Sequence, residues 1–99
     1  MLETFTHETF EPFVGKPFAV MVGNERFMPT HLIEVKPLAL DGDTRRKRSP
    51  FSLLFRGPAG GHLPQDIYDL KSDDLDVPGV FLVPLGPDAE GMLYEAVFT

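Results

Sequence analysis

Ten prolines and nine glycines in a chain of 99 residues constrain the fold more than any other feature. Average usage would supply only about twelve of the two together at this length. Proline removes a backbone donor and glycine loosens the backbone, so each tends to end regular structure. They fall at intervals and cut the chain into short apolar segments, the pattern of an all-β protein. Leu, Ile, Val and Phe account for 31 residues, nine of them Phe, which is ample for one core. At this size folding buries about 60–65% of the unfolded surface, and residues 1–99 are expected to form a single β domain.

The first segment departs from the pattern. Thr6 is placed to cap a short helix, with Phe5 before it and Phe10 after it as a hydrophobic staple. Phe10, Phe13 and Val14 share one face, and Gly15 ends the helix. Alternation then predicts a strand over 17–22, a turn at Gly23-Asn24, and a return strand over 26–36 with Ile33 and Val35 facing in. Pro29 marks that return strand as an edge or a bulge. Phe51, Leu53 and Phe55 alternate in a third strand. Residues 65–70 form another, with Ile67 on one face and Tyr68 and Leu70 on the other. Val80 to Leu85 is apolar on both faces, which predicts a central strand covered on each side. A polar turn follows, and Met92, Tyr94, Ala96 and Phe98 share one face of the last strand. The expectation is a mainly antiparallel, six- to seven-stranded sandwich or small partly open barrel with one short N-terminal helix.

There is no cysteine, which excludes disulfides, thiolate metal sites and cysteine nucleophiles. No secretory signal is visible at the N-terminus and no apolar run is long enough for a membrane helix, so a cytoplasmic location is expected. The net charge of −6 argues against nucleic acid as a partner. Four of the nine cations are consecutive, Arg45, Arg46, Lys47 and Arg48, so the chain is acidic with one basic spot. That run is the candidate partner-binding site, able to meet an acidic protein surface, an anionic membrane, RNA or a second copy of the chain, although a basic tetrad in a loop is usually just solvated.

Other candidates are weaker. His7, His31 and His62 have no short-spaced pair from which to build a metal site. Asp69, Asp73, Asp74 and Asp76 lack the Gly and terminal Glu of a calcium loop, and an acidic turn accounts for them. Ser49, Ser52 and Ser72 are in no nucleophile elbow. Gly57-Pro58-Ala59-Gly60-Gly61 lacks the Lys and helix N-terminus of a phosphate loop. A cross-strand ion pair is expected between Arg56 and Glu95. No catalytic residue, metal or other cofactor is expected.

The stretches Phe51-Ser52-Leu53-Leu54-Phe55-Arg56-Gly57-Pro58, Leu63-Pro64-Gln65-Asp66-Ile67-Tyr68, Phe81-Leu82-Val83-Pro84-Leu85-Gly86-Pro87-Asp88 and Tyr94-Glu95-Ala96-Val97-Phe98, with Leu2-Glu3 and Thr6-His7-Glu8, resemble a family of uncharacterised bacterial proteins. Its members are about this long and form a domain of unknown function. The resemblance covers nearly the whole chain, and its motifs describe strands and turns. It implies a gene neighbourhood with phage-tail-collar-like proteins and hence a role near a tail-like or surface assembly. It assigns no catalytic residues. Two functions follow as expectations: a non-catalytic protein-interaction or assembly module, and, as the alternative, a small-ligand binder using a barrel interior lined by Phe51, Phe55, Phe81 and Tyr94. A small enzyme is the third and weakest.

Overall fold

The computed structural model describes residues 5–38 and 50–99. Thr6 precedes helix α1 (His7–Phe10), and its N–H donates to Thr9 Oγ1 at 3.0 Å. The Phe5 and Phe10 rings lie 5.8 Å apart, so the expected staple is present. A 3-10 turn, Glu11–Phe13, extends the helix. The chain leaves it through Gly15 at φ +89°, a conformation that glycine adopts without strain. Val14 is exposed and does not share the buried face of Phe10.

Six strands follow: β1 (Pro17–Gly23), β2 (Arg26–Pro37), β3 (Phe51–Gly57), β4 (Asp66–Lys71), β5 (Asp76–Asp88) and β6 (Gly91–Phe98). Every pairing is antiparallel, and the order β1-β2-β3-β6-β5-β4 closes on itself. The architecture is a closed barrel with a Greek-key connection, in which β3 lies beside β6 and reaches β4 by a long crossing. The closing seam is short: Ala19, Val20 and Met21 pair with Lys71, Leu70 and Asp69.

A barrel this small has room inside only for its own side chains. Phe18, Val20, Leu32, Leu53, Phe55, Leu70, Val80, Leu82 and Tyr94 fill it, each no more than 2% exposed. At one end Phe10 caps the interior, its ring 5.8 Å from Phe51 and 5.6 Å from Phe98, which stack on each other at 4.8 Å. The crossing from β3 to β4 closes the other end, where Leu63 packs on the core and its N–H donates to the Tyr94 hydroxyl at 3.1 Å. Gly91 passes so close to Gly57 that a Cβ there would fall on the Gly57 carbonyl oxygen.

Several expectations change once the sheet closes. Val80–Leu85 is not covered on both faces: Val80 and Leu82 point in, while Phe81 and Leu85 are exposed, because a barrel wall has one dry side. Ile33 does not face in. The register slips between Leu32 and Glu34, so Ile33 is bulged outward, with Leu32 and Val35 on the core side. The hairpin turn is Asn24-Glu25, flanked by the pair Gly23 and Arg26, with Glu25 at φ +62°.

Pro29 sits where β2 is an edge on its β3 side, as expected. Leu32 N–H donates to the Lys16 carbonyl, and hydrogen-bonded pairs alternate along an antiparallel ladder. The Ala19–Pro29 pair is therefore non-bonded, and the missing N–H faces β3. The β3 ladder stops at His31 and Arg56, so no partner is lost. No helix among the described residues is long and apolar enough to cross a membrane.

Removing the Phe10 ring leaves a cavity against Phe51 and Phe98. Phe10→Ala is expected to lower unfolding free energy by about 3 kcal/mol or more, whereas Phe27→Ala, at an exposed position, should change it by less than about 0.5 kcal/mol. Urea titrations of the two variants compare them directly.

Candidate interaction surface

Phe51, Phe55 and Tyr94 are completely buried. They occupy the interior instead of lining a space within it, and Phe81 points away from it, 50% exposed. The ligand chamber drawn from these four residues is therefore filled by three of them and not reached by the fourth.

Chemistry is left for the outer wall. All nine Phe lie in described segments, and only Phe27 and Phe81 are exposed. Phe81 stands directly opposite Ile67 on β4. Continuing the β5–β6 register, set by Val83 opposite Glu95, brings Val97 to its other side. Ile67, Phe81 and Val97 thus form an outward row across β4, β5 and β6, exposed by 63%, 50% and 50%. Leu85 extends it along β5, pushed out where the register slips between Pro84 and Gly86. Side chains two residues apart on a strand share a face, so Leu93 and Val83 belong to the same wall.

Glu95 lies in the middle of this wall. Its cross-strand neighbours are Leu54 on β3 and Val83 on β5, all three half-buried. Arg56 is not its partner. Arg56 is opposite Leu93 and reaches Asp88, with Nη2 to Oδ2 at 2.6 Å and Nε to the same oxygen at 3.1 Å. Glu90 stands 3.7 Å from the same guanidinium. Asp88 Oδ1 also accepts from the Glu90 and Gly91 N–H groups at 2.9 Å each, which shapes the β5–β6 turn. The hydrogen bond from Arg56 and those backbone donors hold the Asp88 carboxyl below its usual range, and the same contact raises Arg56.

Two hollows flank Pro29 on β2. One, about 350 Å³, is lined by His31, Ile33, Arg56, Pro58 and Glu90. The other, about 290 Å³, lies over Ala19 between Phe27 and Lys71.

Arg45, Arg46, Lys47 and Arg48 lie outside the described residues, as does Ser49. The segment that holds them leaves from a closed base, where Leu38 N–H donates to the Pro50 carbonyl at 2.9 Å. The histidines are dispersed: His7 Nδ1 contacts Glu11 at 2.8 Å, His31 is on β2, and His62 is in the crossing. Asp69 accepts from the Gly79 N–H at 2.9 Å, and Ser72 Oγ donates to the Pro17 carbonyl at 3.1 Å. Among the described residues no three His, Asp or Glu side chains gather as metal ligands. Burial raises the Tyr94 and Tyr68 hydroxyl groups above their usual range, and both donate structural hydrogen bonds.

The family model for a domain of unknown function, DUF6916, matches residues 5–98. The chain belongs to this family. No curated protein and no solved structure matches it. In this chain the matched region takes in the helix and all six strands of the closed barrel described above.

The outer wall was missed by sequence reasoning, although its signal was present. A strand apolar on both faces is either buried twice or exposes one apolar face, and periodicity does not separate the two.

The Arg56–Asp88 contact is solvent-facing, so its effect on stability is small and screened. A folded carboxyl held below its unfolded value contributes above the unfolded pKa and loses that contribution as pH falls through the folded one. Asp88→Asn keeps a turn-capping oxygen but removes the charge. Between about pH 5 and pH 2, wild type should lose more thermal stability than Asp88→Asn; parallel melting curves would refute this.

Proposed function

We propose that this DUF6916 domain is a non-catalytic protein-interaction module that docks a partner protein on the outer wall of β4, β5 and β6, as an accessory within a larger assembly such as a phage-tail-like structure. The observation that carries the reading is the row Ile67, Phe81 and Val97 on the outside of a barrel whose inside is already filled. Adjoining large apolar side chains on a small protein's surface lose water favourably when covered. An interior occupied by the barrel's own side chains offers no comparable gain to a ligand.

The hollows beside Pro29 favour the small-ligand reading as the alternative, now on the outside of the barrel. Native mass spectrometry separates the two, because a small ligand would be retained as an adduct of discrete mass.

A photo-crosslinking residue placed at Phe81 tests the docking wall in native cells. One discrete protein adduct is expected from position 81, and none from Glu25 at the far hairpin. Changing Arg45, Arg46, Lys47 and Arg48 to Ser should leave that adduct in place. Equal labelling from positions 81 and 25, or none from either, would sink the proposal.

A further inference from the structure

We infer that the segment received by the β4–β6 wall is basic as well as apolar, and that it sets a Lys or Arg opposite Glu95. The inference rests on the docking reading above and names the chemistry of its partner.

Glu95 is enclosed on its own face. Leu54 and Val83 stand across from it on the two neighbouring strands, and Leu93 and Val97 precede and follow it by two residues. The cation expected to neutralise it, Arg56, is committed to Asp88 and Glu90. Among the described residues the Glu95 carboxylate has no ion pair or side-chain hydrogen bond. Water satisfies it in the free protein. Any partner that covers Phe81 and Val97 also strips that water, and an unpaired buried charge is strongly unfavourable. A partner that binds must therefore replace the water with a donor, and a charged donor does so best.

The wider field has the same sign. From residue 66 to the C-terminus there are eight Asp and Glu against a single cation, Lys71; even with Asp88 and Glu90 met by Arg56, strands β4 to β6 and their turns attract positive segments.

The same two facts argue against a second copy packed face to face. That arrangement would set one Glu95 and its acidic surround against another. The patch is also small. Three strands spaced about 4.8 Å apart, over about five residues, make a few hundred Å², against roughly 800 Å² per partner in a stable interface. A short segment of another protein fits that area.

A random 12-residue peptide library displayed on phage, panned against the intact protein, reads this preference without a known partner. Wild type should enrich peptides in which Lys or Arg is set among Leu, Ile or aromatic residues. Glu95→Gln should weaken those peptides about tenfold or more, Glu95→Lys should shift enrichment toward Asp and Glu, and Phe81→Ser or Ile67→Ser should abolish binding. All three positions face solvent or the half-buried wall, so unfolding midpoints near wild type are expected and serve as the fold check. Peptides that depend on Phe81 but ignore both Glu95 variants would overturn the basic-partner inference and leave the docking wall standing. Peptides indifferent to Phe81 and Ile67, or no enrichment at all, would overturn the docking wall and the inference with it.

Discussion

Closing six strands into a barrel removes every long sheet edge, but the sheet then has to be filled from inside by side chains of the right total volume. Here aromatic contact meets that demand. Phe18 and Phe55 meet at 5.6 Å within the barrel, and Phe10, Phe51 and Phe98 meet at its end. The N-terminal helix is too short to persist alone. It is held because Phe10 is the plug of the barrel, and Phe13 anchors it again on Phe18, with the rings 5.9 Å apart. The opposite end depends on the same filling, since the Tyr94 hydroxyl orients the β3–β4 crossing through the Leu63 amide.

Closure also explains where the apolar surplus goes. A strongly curved wall needs local slips, and the chain makes them at four places, around Val22, Ile33, Asp69 and Leu85. Bulged residues are pushed out of the ladder, which is why Val22 and Leu85 are exposed despite their hydrophobicity. Pro29 fits without loss of pairing for a different reason. Pro29 turns its absent donor toward a position that β3 does not reach.

The same packing occupies the barrel interior with its own side chains. A filled interior leaves binding to surfaces, and two parts of the surface differ. Around Pro29 there are hollows with mixed charge, whereas the outer wall of β4 to β6 combines an apolar row with a surplus of carboxylates. Glu95 lies where these two properties meet, surrounded by apolar side chains and without an ion pair among the described residues because Arg56 turns to the β5–β6 turn.

Much of this architecture was legible from residue order. Proline and glycine spacing marked the turns, period-two alternation marked β3 and β6, and the Phe5, Thr6 and Phe10 pattern marked the helix, because each signal acts over a few neighbouring residues. Sandwich against barrel was not legible, since it depends on whether β1 meets β4, a pairing of residues some fifty positions apart in sequence. Residue order alone puts Ile33 facing in and Phe81 under cover, but a bulge inverts alternation at Ile33 without changing composition, and a barrel wall has only one dry side for Phe81 to miss. The choice of Asp88 over Glu95 by Arg56 followed from register alone. The sequence by itself determined that short antiparallel strands would enclose one aromatic core under a helical cap. Only the tertiary structure decided which apolar side chains that core could hold, because its volume is set by closure and the excess must face water.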